Sequence, residues 1–177
     1  MSGIINATNL EVANIKDSTG TNTAMTIDSN GRVTKPAHPA FMAAVNNNIP
    51  LTTSYLELAN VYVDVNCNVG NHYNSTTGRF TVPVTGVYNF GIASIGNSTG
   101  TIYRFRPYKN GNSLHNYELR VDTTASGSEY SVNGEFSFTE PLTAGDYISI
   151  YGMSEDGTDA YGDASFRYSY FRGHLIG

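Results

Sequence analysis

The densest collection of ligating side chains in this sequence is Met153-Ser154-Glu155-Asp156-Gly157-Thr158-Asp159, with Asp163 just beyond. Carboxylate oxygens carried on a loop are what a hard divalent cation such as calcium takes as ligands. Glu155, Asp156, Asp159 and Asp163 are therefore the candidate calcium ligands. The stretch lacks the alternating ligand spacing of an EF-hand, and Asp156-Gly157 is also ordinary turn chemistry. A solvated turn is the favoured reading, and no other cofactor is expected. The histidines, His38, His72, His115 and His174, show no metal-ligand spacing. Cys67 has no second cysteine to pair with, and nothing around it marks a nucleophile. Gly-x-Ser-x-Gly, His-Glu-x-x-His and a phosphate-cradling glycine loop are all absent. An enzyme is not expected.

Charge excludes further classes. The 10 Lys plus Arg against 15 Asp plus Glu give a net −5, with no clustered basic face for nucleic acid. Arg104 and Arg106 alternate with Tyr103 and Phe105, which reads as two solvated arginines on one strand face. No apolar run is long enough to cross a bilayer. Met1-Ser2-Gly3-Ile4-Ile5-Asn6 offers neither a basic n-region nor an apolar h-region, so a signal peptide is not expected, and synthesis in a reducing cytoplasm is. The sequons at Asn6, Asn74 and Asn97 then reflect composition.

The residues that remain are aromatic, small and polar: 13 Tyr, 8 Phe, 18 Gly and no Trp, with only 14% charged. This is the mixture of short strands joined by tight polar turns. Strand signals fall at Phe41–Val45, Leu56–Val65, Phe80–Val82, Gly86–Ile92, Tyr103–Tyr108, Ser113–Val121, Ser128–Thr139, Tyr147–Tyr151 and Phe166–Ile176. Asn110-Gly111 separates two of them as a hairpin turn, both residues tolerating positive φ. Roughly ten short strands without helical periodicity indicate a two-sheet sandwich or jelly roll. Thr34-Lys35-Pro36-Ala37-His38-Pro39 reads as a stiff linker, and divides the chain into an N-terminal segment, 1–36, and a main domain, 37–177. The N-terminal segment places strand-like runs around a second Asn-Gly, Asn30-Gly31, but has too few large apolar residues to fold alone. It must pack on another copy or another protein.

One pattern runs through the main domain: Tyr62, Asn68, Tyr73, Phe80, Gly86, Tyr88 and Phe90, closing with Ser169-Tyr170-Phe171-Arg172-Gly173-His174-Leu175-Ile176. Its intervals resemble those of the complement C1q globular-head family, trimeric jelly rolls related to the tumour necrosis factor fold. The chain departs from that pattern at Tyr62, where the family has Phe, at Ile92, where it has an aromatic, and at Val82, where many members have Cys. The resemblance covers roughly residues 40–177 and implies an all-β, trimeric, two-sheet jelly roll with a short extended β stalk before it. It also implies that Tyr88 and Phe90 line the core, that Asn89 and Gly91 face a neighbouring subunit, and that Phe171 lies on the threefold axis. There is no Gly-x-y repeat, so residues 1–36 would replace a collagen stalk. The segment Ala24–Val33 resembles N-terminal parts of phage tail-fibre and other virion appendage proteins.

Together these expectations describe a homotrimeric knob on a virion, made in the host cytoplasm, that contacts a host surface glycan or protein. Its contacts would come from loops 97–101, 122–129 and 153–163, helped by exposed Tyr103, Tyr108, Tyr117, Tyr130 and Tyr161. Residues 1–36 would attach it to other virion proteins. The alternatives are a purely structural capsid or tail decoration protein, and a secreted cytokine-like or lectin-like module.

Overall fold

A computed structural model of the chain describes residues 13–16, 18–125 and 133–177. The chain divides into two compact units, Met1–His38 and Pro39–Gly177. Among the described residues every regular element is a strand.

The first unit carries an antiparallel sheet of β1 (Asn14–Lys16), β2 (Thr23–Ile27) and β3 (Val33–Thr34). The reversal between β2 and β3 is longer than a two-residue hairpin. Asp28 N donates to Arg32 O at 3.0 Å, and the Asp28 carboxylate accepts the amides of Asn30 and Arg32, each at 2.9 Å. Gly31 alone supplies the left-handed step (φ 77°).

The second unit comprises β4 (Ala40–Val45), β5 (Leu56–Glu57), β6 (Tyr62–Val69), β7 (Tyr73–Asn74), β8 (Arg79–Thr81) and β9 (Gly86–Ile95). These are followed by β10 (Ile102–Lys109), β11 (Asn112–Ser113), β12 (Leu119–Asp122), β13 (Asn133–Leu142), β14 (Tyr147–Ser154) and β15 (Tyr170–Leu175). One sheet has the order β13-β9-β15-β4-β6; the other runs β11-β10-β14-β8-β7, with β12 also on β10 and β5 on β14. The last strand lies between β9 and β4, so sequence neighbours are repeatedly split between sheets, as in a jelly roll. The run Leu56–Val65 is not one strand: Asn60 turns left-handed (φ 57°) and sends β5 and β6 to different sheets. Ser113–Val121 likewise resolves into β11 and β12, and residues 128–132 of the expected Ser128–Thr139 strand lie outside the described residues. At Asn110-Gly111 both residues do take positive φ (51° and 78°). Asp146 ties this turn to the next one, accepting Asn110 Nδ2 at 2.7 Å and Thr143 N at 2.9 Å. Those bonds, with Lys109 beside them, hold its carboxyl down at about 2.

Because strand side chains alternate, each sheet sends one set inward. Phe41, Phe90, Phe138 and Phe171 from the five-stranded sheet meet Tyr73, Phe80, Phe105 and Ile148 from the other. Phe41 stacks on Tyr73 at 4.7 Å and on Phe80 at 4.8 Å, and takes the edge of Phe171 at 4.8 Å. Gly173 is required in this cluster, since a Cβ there would come within 2.4 Å of the Phe90 ring and 2.8 Å of the Phe41 ring. The signature residues therefore build scaffold. Asn68 clamps the Tyr73 backbone from both sides, accepting Tyr73 N at 3.0 Å and donating to Tyr73 O at 2.8 Å. Tyr73 in turn donates its hydroxyl to Tyr62 O at 2.9 Å, and Tyr88 donates to Val84 O at 2.8 Å.

Tyr62 is fully buried, and its hydroxyl finds no partner. A buried hydroxyl left unpaired costs its lost hydration and returns nothing. Tyr62→Phe should therefore raise stability in urea unfolding by about 1 kcal/mol; a loss would show that the hydroxyl is bonded.

Candidate interaction surfaces

The outward side of the five-stranded sheet is set by cross-strand register. Val87, Asn89, Gly91, Ala93 and Ile95 on β9 stand opposite Pro141, Thr139, Ser137, Glu135 and Asn133 on β13. On the other flank, Asn89, Gly91 and Ala93 stand opposite His174, Arg172 and Tyr170 of β15, which continue onto Ala40, Met42 and Ala44 of β4. The centre is built of small residues, so it is flat. Its charges cancel in pairs: Arg172 lies across Gly91 and bonds Glu135 at 3.1 Å, and at the β6 edge Arg167 bonds Asp64 at 2.9 Å. Hydrogen bonds from Tyr170 and from Arg172 hold the Glu135 carboxyl below the usual glutamate range. One end of the face is aromatic. Phe166 (52% exposed) and Tyr168 (48%) stack at 5.2 Å and line a shallow groove with Ile95, Asn133 and Tyr161.

Of the residues expected at a subunit interface, Asn89 and Gly91 lie on this outward side. Phe171 does not. It points inward and is 0% exposed within the single chain, packed by Phe41, Tyr62, Tyr73 and Phe90. A side chain buried by its own domain presents no surface to a threefold axis; its neighbours Tyr170, Arg172 and His174 occupy the outward positions instead.

The four calcium candidates are not brought together. Glu155 pairs with Arg104 at 2.9 Å, while Asp156 accepts the Thr158 amide at 2.9 Å. Asp159 accepts the Leu51 amide at 3.1 Å, and Asp163 the Ser165 amide at 2.6 Å. Among the described residues no group of three His, Cys, Asp or Glu converges on one point. Asp156 and Asp163 cap their own turns, while Glu155 and Asp159 bond residues from other parts of the chain. The loops expected to make contacts do meet at one end of the sandwich. Gly100 N donates to Thr123 O at 2.9 Å and Glu155 N to Ile102 O at 3.1 Å; residues 126–129 lie outside the described residues.

The outward side of the seven-stranded sheet is a ladder of tyrosine, arginine and glutamate. Glu118 receives Arg104 at 2.9 Å, Arg106, and the Tyr55 hydroxyl at 2.5 Å, while the Arg106 guanidinium lies over the Tyr55 ring. Burial resists ionisation of Glu118, but hydrogen bonds from Tyr55, Arg106 and Arg104 outweigh it and hold its carboxyl below the usual range. Burial and the same bond to Glu118 push the Tyr55 phenol well above its ordinary value. Nearby, Glu57 grips Arg79 at 2.8 and 2.9 Å, Arg79 covers Tyr147, and Tyr108 stacks on Tyr151 at 3.7 Å. Tyr103, expected among the exposed tyrosines, is instead in the core, its oxygen accepting the amides of Asn97 and Ser98. Tyr130 lies outside the described residues. Arg104 and Arg106, expected as solvated arginines, are instead partly buried and paired with Glu118, which with Tyr55 joins them only across the fold. Phe166 and Tyr168, expected within a strand Phe166–Ile176, instead precede β15 and stand exposed, a placement the sequence reading missed.

The main domain is thus a jelly-roll sandwich with one flat sheet face whose charges are paired. The model of the C1q domain matches residues 40–176, and the chain belongs to that family. It is 27% identical over 141 residues to rat complement C1q tumor necrosis factor-related protein 6, covering 78% of this chain and 50% of that protein. The chain thus spans about half the length of that curated relative. Among solved structures it is similar to the globular domain of zebrafish complement 1qA: 22% identity, TM-score 0.55, 78% of this chain and 98% of that one. Eiger TNF from S. frugiperda matches with 13% identity and TM-score 0.58, over 80% of this chain and 94% of that one. Domains of this type form trimers that serve as binding modules and are not enzymes.

The Glu118 cluster gives a stability test with a defined pH dependence. Glu118→Ala leaves the partly buried Arg106 guanidinium without a carboxylate and Arg104 with Glu155 alone, and should cost about 2 kcal/mol at pH 7, discounted for partial exposure. Since the folded-state value lies below the ordinary 4.5, this contribution is complete above 4.5 and is lost as pH falls through the folded value. Urea unfolding of wild type and variant should therefore converge at acid pH; a constant difference would assign the cost to packing.

Proposed function

We propose that this protein is the homotrimeric recognition head of a larger assembly. It self-associates through the outward side of the five-stranded sheet and presents its loop end to a partner on a surface. The observation that carries this reading is the Phe166–Tyr168 stack, exposed at the end of a flat sheet face whose charges are already paired. A contiguous aromatic patch next to small residues is the composition of an interface centre, with aromatics enriched and net charge excluded. Obligate interfaces of this kind bury about 2,000 Å² or more. Asn89 and Gly91 lie within the proposed contact. Loops 97–101, 122–125 and 153–163 would then recur three times at one end, multiplying a weak single-site contact through avidity.

The setting we propose is a virion, with the head at the tip of a tail fibre or comparable appendage and host cell-surface protein or glycan as its target. Residues 1–36 would attach it to other virion proteins. In support, this segment carries short β-strands and has no Gly-x-y repeat. A purely structural decoration role is the second reading, favoured by the self-satisfied side chains of the Glu118 ladder, which hold few free donors for a ligand.

Tyr168→Glu places a charge in the proposed interface at a position already exposed in one chain, so folding should be retained. It should weaken self-association about 100-fold, the scale of a lost aromatic anchor, in sedimentation equilibrium. Wild-type protein should adhere to host cells and block adsorption of particles that carry it, and the dissociated variant should not. A trimeric wild type that never adheres would select the structural role. A wild type that is monomeric at every concentration would overturn the reading.

A further inference from the structure

The N-terminal sheet has two unlike sides and no core. Ile15 pairs with Met25 and Ile27 with Val33, and Met25 and Ile27 share parity on β2, so these four apolar residues occupy one side. Asn14, Thr26 and Thr34 occupy the other, where Thr26 Oγ1 donates to Asn14 Oδ1 at 3.0 Å. None of the described residues from 13 to 38 is buried, with Ile15 46% and Val33 55% exposed. A three-stranded sheet needs a covered hydrophobic face to persist in water. The charges of its turn are already matched, Arg32 Nε to Asp28 Oδ2 at 2.6 Å, so they offer a partner little. What the sheet presents outward is its apolar side.

We propose that this side is covered by the same side of two further copies of the chain. The N-terminal unit then completes its fold only in the trimer. The occupant follows from continuity and from chemistry. Residues 35–38 are all that separate β3 from the head unit, so a trimeric head holds three copies of the sheet at high effective concentration. Two short rows of aliphatic side chains match one another better than they match any charged partner. The inference rests on the trimeric reading of the head.

The test is amide hydrogen exchange on the full chain, in wild type, in Ile27→Asp, and in the Tyr168→Glu variant that dissociates the head. In the wild-type trimer the amides of β2 should exchange about 100-fold or more slowly than a free peptide. Ile27→Asp should abolish that protection while the amides of β9 and the trimeric mass remain. Tyr168→Glu should abolish it too, because the covering copies leave. Free-peptide exchange of β2 in a protein that is trimeric by mass would overturn the inference and leave the head reading intact. Protection that survives in dissociated Tyr168→Glu would assign the cover to the chain's own residues, and would likewise overturn it. A wild type that is monomeric by mass would overturn both.

Discussion

The packing of aromatic rings between the two sheets is the constraint on which the rest of this domain depends. Phe41, Tyr73, Phe80, Phe90 and Phe171 lie within 4.7–6.2 Å of their ring neighbours, drawn from both sheets and from strands far apart in sequence. Their burial supplies the apolar area that holds the sandwich shut. It also fixes parity. Once Phe90 and Phe171 point inward, Asn89, Gly91, Tyr170 and Arg172 have to point outward, and the character of the outer face is decided by residues that never touch the core.

The same constraint divides the chain's polar groups into two kinds of work. On the seven-stranded sheet, arginine, glutamate and tyrosine satisfy one another in a ladder around Glu118 and Glu57, which stabilises that face without an outside partner. On the five-stranded sheet the residues are small, the charges cancel, and two aromatics are left over at the end. Two sheets of one sandwich thus have different fates, one self-contained and one open. The N-terminal sheet repeats the open case with aliphatic residues in place of aromatic ones.

Much of this was legible in the sequence because strand alternation and turn chemistry are local. Asn110-Gly111 forms the turn its residues prescribe, and the intervals from Tyr62 to Phe90 lead to the observed core. The limits are equally specific. Asn30-Gly31 does mark a reversal, but the Asp28 side chain lengthens it, a contact that dipeptide signals do not encode. Asn60 breaks an alternating run that looks continuous, because the chain changes sheets there. Phe171 was misplaced by family resemblance although Phe171, Gly173 and Leu175 alternate plainly with Tyr170, Arg172 and His174. Glu118 and Tyr55 lie 63 residues apart, and their bond exists only once β10, β12 and β14 have paired. Of the acidic residues that cluster in sequence at 155–163, Glu155 and Asp159 are drawn to partners across the fold, while Asp156 and Asp163 cap local turns.

The central claim is that the outward side of the five-stranded sheet is where copies meet. Cys67 is exposed and stands opposite Met42 at the edge of that side, so a nitroxide can be placed there without any substitution. Dipolar electron resonance on the labelled full chain is the most direct measurement. The account predicts coupling among three equivalent spins with a single distance, lost when labelled chains are assembled with excess unlabelled ones. Coupling between only two spins, or none at concentrations where the protein is trimeric by mass, would place the contact on another surface and contradict it.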